Sequence, residues 1–511
     1  MSRTSLPQDI ILLICKELAW QRDFSTLFNC SLVSTRVARL ALEQLYSYGS
    51  LLEDIWNIKA ADFLEPREDM EPFIALQGNQ IGWDKFAKSG IMPPFEFQRS
   101  IIDSGESLIN YIKQAAEETS IAVKLVHLEA SFLPEDLLPT WIARIPSLES
   151  LQLQSATALT AEAASAIAKW CPKFSELRSL TCRGDNVDAN LASFLRTLPP
   201  NSLQCFEIIS INDIGEQTLA ALNMHARSLK TLTLGSLPGH VMSSLGAISS
   251  CTAIENLSLE NQRHIPWNLA GDEALLERIT AWLGSCKNLR TLKLSNIGDG
   301  LLIIKDVLAL PNVRLLSLDF QGFSSLGNEV DAAAWSALGQ QEALEELTLG
   351  GLDGIPDALI VHETPILPDS ICRLTNLKRL DLKRASLRAI ELRRIVTALS
   401  QLTELGFGGD WIDDQILESI GTLQYLKKFL VNALSIFTFD SVQSFAKKLD
   451  PEHHKGIEVE INNQIGSYKF AQDQEAWLVD FFATELEGRI DIGVFKDPDE
   501  AHEDDFTSDS E

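Results

Sequence analysis

Few residues of this 511-residue chain stand in patterns that could carry chemistry. His453-His454 could hold a metal ion, but the pair lies in the polar run Pro451-Glu-His-His-Lys, for which a loop is the favoured interpretation. Gly350-Gly351 and Gly408-Gly409 each follow a predicted strand, where they could cradle a phosphate. No Lys-Ser/Thr follows either pair, so turn glycines are favoured. We expect no metal, no cofactor and no catalytic centre, since the motifs of hydrolases, zinc proteases and nucleotide-binding enzymes do not occur.

A second set of residues could bind a target protein. These candidates lie on or just after predicted strands: Lys378, Arg379, Asp381, Lys383, Phe407 and Trp411. The first four, with nearby Arg384, form a basic-leaning patch that could attract an acidic or phosphorylated target. A solvated strand face is an equally good interpretation. The two aromatic residues could anchor a partner or pack against the neighbouring repeat.

These candidates belong to a repeat that extends from about residue 120 to residue 432. The pattern L-x-x-L-x-L, with conservative replacements, starts at twelve positions that are 24 to 35 residues apart: Val123, Leu148, Leu177, Leu203, Leu229, Ile254, Leu289, Val313, Leu344, Leu377, Leu402 and Leu426. This period is typical of leucine-rich repeats, in which each L-x-L is a short strand and a helix returns the chain to the next strand. No repeat buries its own apolar face, so the array is stable only by stacking.

Helices are predicted between the strands. Apolar residues at i, i+3, i+4 and i+7 mark helices over 392–399 and over 275–283, the second with a candidate N-cap at Asp272. The longer steps of the repeat indicate inserted loops at 264–271, 323–331 and 354–368.

The N-terminal residues predict a compact helical unit. Ile10, Ile14 and Leu18 follow Pro7 at steps of four, and two further short helices fit before residue 48. Three short helices cannot bury this apolar surface among themselves, so a partner or the next domain must cover part of it. We therefore divide the chain into an all-α unit (1–48), a junction that caps the repeats (49–120), the repeats (121–435), a C-terminal cap (436–495) and an acidic disordered tail (496–511).

Composition and charge narrow the possible partners. The 43 Lys and Arg residues stand against 71 Asp and Glu residues, a formal net charge of -28, which argues against nucleic acid as a partner. No apolar segment approaches a membrane span or a signal peptide, and the eight cysteines form no C-x-x-C pair. We expect a cytoplasmic or nuclear protein, without membrane contact, whose cysteines are small buried hydrophobes.

The N-terminal unit resembles an F-box. The resemblance rests on Leu6-Pro7-Gln-Asp-Ile10-Ile-Leu-Leu-Ile14-Cys-Lys-Glu-Leu18, on Leu32-Val33-Ser34-Thr-Arg36 and on the closing Leu45-Tyr46, and is strongest to fungal F-box proteins. One departure is Val37, at a position that is commonly Trp. The repeats resemble the cysteine-containing leucine-rich repeats that often follow an F-box, since Cys251 and Cys286 each stand three residues before a repeat start.

The resemblance implies a non-catalytic subunit of an SCF-type ubiquitin ligase. The F-box would dock on a Skp-type adaptor, which the cullin and RING subunits hold, while the repeats bind the target protein. The expected fold is an α/β leucine-rich-repeat solenoid (a horseshoe) preceded by a small all-α F-box. The adaptor contacts are expected among Leu6, Pro7, Ile10, Ile11, Ile14, Leu18, Leu32 and Val33, some of which must instead pack internally.

Two alternatives remain open at this point. A leucine-rich array with an acidic tail also resembles the Ran GTPase-activating proteins, although their repeats usually carry Asn after the last strand leucine, and they have no F-box-like unit. The chain could also be a protein-binding scaffold that is not linked to ubiquitination.

Overall fold

The computed structural model describes residues 8–20, 30, 37, 40, 127–130, 138–143, 146–184, 186–210, 212–262, 269, 271–351, 366–385, 387–410, 412–434, 437–463 and 470–494. The chain divides into two compact units, residues 1–251 and residues 252–511. In each unit the described strands alternate with helices and pair in parallel with their neighbours in sequence. This α/β alternation is the leucine-rich-repeat fold that the sequence predicts.

The described part of the first unit contains an N-terminal helix, followed by five strands that alternate with helices. Its α-helices are α1 (Gln8–Trp20), α2 (Leu138–Ile142), α3 (Ala161–Trp170), α4 (Val187–Thr197), α5 (Glu216–Leu222) and α6 (Gly239–Met242). Its strands are β1 (His127–Ala130), β2 (Ser150–Ser155), β3 (Glu176–Thr181), β4 (Cys205–Ile208) and β5 (Thr231–Leu237). Single turns of 3₁₀ helix stand at Ala156–Ala158, Asn223–His225 and Leu245–Ile248.

The second unit contains nine described strands. They are β6 (Asn256–Asn261), β7 (Thr291–Ser295), β8 (Ser317–Phe323), β9 (Glu346–Gly351), β10 (Arg379–Arg384), β11 (Glu404–Asp410), β12 (Lys428–Leu434), β13 (Glu458–Asn463) and β14 (Arg489–Val494). The intervening helices are α7 (Glu273–Ser285), α8 (Gly300–Leu308), α9 (Asn328–Leu338), α10 (Ile366–Cys372), α11 (Ala389–Ala398), α12 (Gln415–Ile420), α13 (Phe439–Lys448) and α14 (Gln472–Glu485).

The second leucine of each repeat forms the core of both units. In the first unit the strand register aligns Leu128, Leu151, Leu177, Phe206 and Leu232. In the second it aligns Leu257, Leu292, Leu318, Leu347, Leu380, Leu405, Phe429, Val459 and Ile490. All of these side chains are buried. Alternate side chains of a strand point to opposite faces, so the residues beside each leucine lie on the open strand face.

Both predicted helices are present. The Asp272 carboxylate caps α7 by accepting the Leu275 amide at 2.9 Å, and Leu275, Ile279 and Leu283 are buried. Leu392, Ile395 and Val396 of α11 are buried in the same way, as is Leu399 just after it. Apolar spacing therefore identifies the helix face that meets the core.

Buried polar side chains link successive repeats near the helix ends. His225 accepts the Leu203 amide at Nδ1 and donates from Nε2 to the Leu195 carbonyl at 3.1 Å. Cys251 donates from Sγ to the Leu222 carbonyl. Such bonds satisfy carbonyls near the helix ends of the preceding repeat, which explains why His225 and Cys251 are buried shortly before two of the repeat starts.

Three of the predicted repeat starts are out of register. Strand pairing places Leu128, Leu177 and Leu318 at the second-leucine position, where the predicted starts place Val126, Leu180 and Leu316. Leu180 and Leu316 are instead exposed. An additional leucine next to the pattern caused each of these last two errors, because local spacing cannot show which of two neighbouring leucines faces the core.

The region predicted as a C-terminal cap contains two further strand–helix units. Val459 and Ile461 lie in β13, which is an inner strand, because it pairs with both β12 and β14. At the first-leucine position these units have Gly456 and Glu487, both with positive φ. These two units therefore lack the first leucine of L-x-x-L-x-L, although they keep the strand and the helix of the repeat.

The glycine pairs are strand residues and not turns, contrary to the prediction. Gly350-Gly351 ends β9, and Gly408-Gly409 lies within β11. A Cβ atom at Gly408 would stand 2.1 Å from the Lys383 carbonyl oxygen of the neighbouring strand. Glycine is thus required there by close backbone approach.

The inserted loop predicted at 323–331 is shorter than expected. Its first residue ends β8, and its last residues form the first turn of α9.

Several predictions fall outside the described residues. They concern most of the second and third N-terminal helices, the junction at 49–120, most of the inserted loops at 264–271 and 354–368, and the tail at 496–511.

Candidate functional site

Helix α1 has apolar side chains on two faces. On one face Cys15 is buried, and Ile11 and Leu18 beside it are half-buried. On the other face Ile10, Leu13 and Ile14 are 42%, 61% and 46% exposed. We call these last three residues the outer face of α1. Since they are spaced i, i+3 and i+4, they form one contiguous apolar surface that is available to a partner helix.

This arrangement sorts the predicted adaptor contacts. Ile10 and Ile14 lie on the outer face, whereas Ile11 and Leu18 lie toward the buried one. Leu13 was missed by the sequence analysis, although its spacing from Ile10 and Ile14 could have identified it. The other four candidates, Leu6, Pro7, Leu32 and Val33, lie outside the described residues.

A second surface lies on the strand face of the second unit. The residue before each second leucine alternates in charge over β9 to β14, and we call this set the charge ladder: Glu346, Arg379, Glu404, Lys428, Glu458 and Arg489. Adjacent strands are about 4.8 Å apart, so neighbouring members of the ladder are within reach of one another.

The ladder is largely paired with itself. Arg379 forms an ion pair with Glu346 and stands 4.0 Å from the Glu404 carboxylate. At the far end, Arg489 pairs with Glu458 at 3.1 Å. Exposed ion pairs of this kind contribute little to stability, roughly 0 to 1 kcal/mol each, so the ladder defines the chemistry of the surface more than it stabilises the fold.

A pocket of about 340 Å³ opens between β8 and β12 on this face. We call it the strand pocket. Its lining includes four members of the ladder together with Asp381, Lys383, Gly406 and Leu430. Gly406 contributes no side chain between Asp381 on β10 and Leu430 on β12, which are the corresponding residues of the adjacent strands. The missing side chain opens the pocket.

The structure distinguishes among the predicted target-binding residues. Arg379, Asp381 and Lys383 line the strand pocket, but Lys383 pairs with Asp381 at 2.8 Å. Lys378 lies outside the lining and pairs with Glu345 at 2.8 Å. The predicted basic-leaning patch is therefore electrically balanced by carboxylates on its own and the neighbouring strand, which local sequence could not reveal.

Of the two predicted aromatic anchors, Phe407 is not available on this face. Phe407 is fully buried, with its ring centroid 5.7 Å from that of Phe429, so it packs against the neighbouring repeat. Its prediction as a partner contact is wrong, because it occupies the inward-facing last position of L-x-x-L-x-L. Trp411 lies outside the described residues.

The two adjacent histidines have structural contacts. His454 is buried, accepts the Asp450 amide at Nδ1 and donates from Nε2 to the Leu423 carbonyl at 2.8 Å. His453 bonds to the Asp450 carboxylate at 2.8 Å, a contact that lowers the pKa of Asp450. Both histidines lie in a hydrogen-bonded turn, in agreement with the loop that the sequence favours over a metal site.

The cysteines are mostly buried, in agreement with the sequence analysis. Burial raises the pKa of Cys171, Cys182, Cys205 and Cys286 to about 12. Thiols with such a pKa are protonated near neutral pH and react slowly as nucleophiles or metal ligands. Among the described residues no group of three or more His, Cys, Asp or Glu could hold a metal ion, and none of the described helices is long and apolar enough to span a membrane.

No protein-family model matches the chain, and no curated protein matches it. Solved structures that resemble it include the yeast Rad7–Elc1 complex, with 16% sequence identity, a TM-score of 0.40, and coverage of 71% of this chain and 93% of that chain. They also include an internalin from Listeria monocytogenes, with 16% identity, a TM-score of 0.37, and coverage of 67% and 93% respectively. The leucine-rich-repeat fold follows from the register and buried leucines of the chain itself, and these distant likenesses add nothing about its function.

Proposed function

We propose that this chain is the substrate-recognition subunit of an SCF-type ubiquitin ligase. In this proposal the N-terminal unit docks on a Skp-type adaptor, and through it on the cullin and RING subunits, while the repeats hold the target protein. The proposal places the protein in the cytoplasm, the nucleus or both.

The outer face of α1 is the observation that carries the proposal. A helix that buries Cys15 on one side and exposes Ile10, Leu13 and Ile14 on the other is incomplete without a partner. These residues lie inside the segment that resembles an F-box. An adaptor that covered them would remove three large apolar side chains from water, and the burial of such side chains drives most protein association.

The repeats supply the second half of the proposal. They present an open strand face with charged and apolar groups, including the strand pocket, and repeat arrays commonly use such extended faces to bind proteins. In this account the chain performs no covalent chemistry. It accelerates ubiquitin transfer by holding the target near the loaded enzyme, which raises the effective concentration of the target.

Co-expression with a Skp-type adaptor tests the proposal. We expect a stoichiometric complex on affinity purification and size-exclusion chromatography, and we expect its loss when residues 1–48 are deleted. The chain without residues 1–48 should still unfold cooperatively, as circular dichroism would show, because each repeat is stabilised by stacking on its neighbours. A well-folded full chain that forms no complex would contradict the proposal.

A double substitution, Pro7→Ala with Ile14→Asp, locates the docking surface. The Asp places a charge on the outer face, so adaptor binding should be abolished while the repeats stay folded. Adaptor binding that survived these changes would mean that another surface docks. A GTPase-stimulation assay then distinguishes the remaining alternatives, a small-GTPase regulator and a plain binding scaffold.

A further inference from the structure

The last strand of the second unit has an open edge. Among the described strands, β14 pairs with β13 on one side and with none on the other. The Arg489 amide points toward β13, since it donates to the Ile457 carbonyl at 2.9 Å. Successive residues of a strand direct their backbone groups to opposite sides, so the N–H and C=O groups of Ile490 and Ile492 point to the open edge. Such a row of backbone groups is a template for another strand.

Two opposite charges lie on the open face of this strand. Arg489 and Asp491 are exposed and stand on either side of Ile490, which is buried at the second-leucine position. Arg489 pairs with Glu458, but its side chain is 76% exposed, and a guanidinium group has enough N–H donors for a second carboxylate. Within the described part of the chain, Asp491 forms no ion pair. The strand therefore presents an arginine that can accept another partner and a carboxylate that lacks one.

The order of these charges is complementary to itself when the strand is reversed. In an antiparallel pair of two β14 strands centred on Ile490, Arg489 of each copy lies opposite Asp491 of the other. The two Ile490 residues form the hydrogen-bonded pair, because their backbone groups point to the open edge. The arginine and the aspartate then occupy the flanking non-hydrogen-bonded pairs, in which opposite Cα atoms are closest, about 4.5 Å apart.

Charge also distinguishes this register from its neighbours. Residues opposite each other in an antiparallel pair must lie on the same face, so the centre of the pair falls on a residue and not between two. A pair centred on Asp491 would place the two Asp491 carboxylates opposite each other, which is destabilising. A pair centred on Ile492 would place Asp491 opposite Gly493, with no charge to meet it. Of the three registers, only the one centred on Ile490 joins opposite charges.

We propose that the open edge of β14 binds the same edge of a second copy of this chain, with a two-fold axis at Ile490. The interface is isologous, because both copies supply the same strand. Backbone hydrogen bonds join the two edges, and two Arg489–Asp491 pairs fix the register and the direction. The contact is short, so the dimer is reversible and depends on protein concentration. The inference goes beyond the proposed function and does not depend on it, since α1 takes no part.

Analytical ultracentrifugation of the full chain over a range of concentrations tests the inference. The mass of the wild-type protein should rise from 56.6 kDa toward twice that value. Arg489→Asp places like negative charges opposite each other, and Asp491→Arg places like positive charges opposite each other. Each variant should therefore stay monomeric at concentrations at which wild type dimerises. Arg290→Asp is the matched control, because it makes the same change at an exposed arginine beside the inner strand β7, and it should dimerise as wild type does.

An equimolar mixture of the two variants separates the proposed register from a folding defect. In a mixed pair, one copy is negative at both positions and the other is positive at both, so every site again joins opposite charges. The mixture should therefore dimerise although neither variant does so alone. The double variant, Arg489→Asp with Asp491→Arg, should likewise form a dimer with itself. Misfolded proteins would not regain association in this way.

The inference is overturned if wild type is monomeric at every concentration, if the single variants dimerise as wild type does, or if their mixture stays monomeric. A full chain that is monomeric and dimerises only after removal of residues 495–511 would also overturn it, because that segment would then occupy the edge. The adaptor experiment gives an independent result. A chain that binds the adaptor but does not dimerise would contradict only the edge contact, and a chain that dimerises without binding the adaptor would contradict only the ligase role.

Discussion

The strand faces of the two units differ although their cores follow one pattern. In the first unit, Leu180 and Ile209 are 37% and 47% exposed, and they are neighbours because the Ser210 amide bonds to the Leu180 carbonyl. Beside them Arg178 forms ion pairs with Glu207 and with Glu176. The second unit carries the alternating charge ladder instead. The first face thus combines exposed apolar residues with a small charged cluster, whereas the second is dominated by alternating charges.

This difference shows that the repeat separates folding from recognition by position. The leucines that point inward are nearly interchangeable between the units, since each fills the same place in the ladder. The residues that alternate with these leucines face solvent, so they need only be compatible with water and with the side chains of the neighbouring strand. Each unit can therefore present a different surface on the same framework.

Truncation of the core should have the largest effect, and it should be equal in the two units. Phe206 and Phe429 are both fully buried at the second-leucine position. Replacing either with Ala should lower the free energy of unfolding by about 3 to 5 kcal/mol, because it removes buried apolar surface and leaves a cavity. Urea unfolding monitored by circular dichroism measures this, with exposed Ile209→Ala as the control. A large loss at only one of the two sites would show that the cores are not equivalent.

A pH dependence of stability should arise at His225 in the first unit. Burial holds the pKa of His225 below its usual value, against the smaller opposing effect of its bond to the Leu195 carbonyl. The unfolded chain takes up a proton at this histidine near pH 6.5, while the folded chain does so only at lower pH. The contribution of His225 to stability is therefore full above about pH 6.5 and is lost as the pH falls through the folded-state pKa.

Unfolding at pH 7.5 and at pH 5.5 tests this expectation. The loss of stability on acidification should be smaller in His225→Gln than in wild type, because Gln does not titrate. In the second unit, Gln341 already makes the corresponding bond to the Leu308 carbonyl, at 3.0 Å. The control is exposed His240→Gln. Equal slopes for His225→Gln and wild type would contradict the assignment.

Removal of the central ladder residue should have the smallest effect on stability. Arg379→Ala breaks two exposed ion pairs, so the free energy of unfolding should fall by no more than about 1 kcal/mol. The shift should shrink further at high salt, because solvent-exposed charges are screened. Urea unfolding at low and high salt checks both statements. A loss near that of Phe429→Ala would mean that the ladder stabilises the fold and is not mainly a recognition surface.

Most of the fold could be predicted because its signal is local. The L-x-x-L-x-L spacing identifies strands without knowledge of their partners, and Asp272 identifies a helix start. The errors arose where local patterns are ambiguous. Leu180 and Leu316 each offered a second register, and only pairing with the next strand decides between the alternatives.

The candidate sites were less predictable, for two physical reasons. Residues 10 to 14 are all apolar, so periodicity could not separate half-buried Ile11 from exposed Leu13. The pairing of Arg379 with Glu346 and Glu404 joins residues 33 and 25 positions apart in the chain. A basic-leaning segment in sequence therefore became a balanced surface.

The most direct test of the central claim compares two exposed apolar residues. Leu13 on the outer face of α1 is 61% exposed, and Val479 on α14 is 54% exposed. Titration of a Skp-type adaptor into each Asp variant by calorimetry should show that Leu13→Asp weakens binding about thirtyfold or more, as expected for an interface hot spot. Val479→Asp should bind as wild type does. Equal affinities of all three proteins, or an equal loss in both variants, would contradict the assignment of α1 as the docking helix.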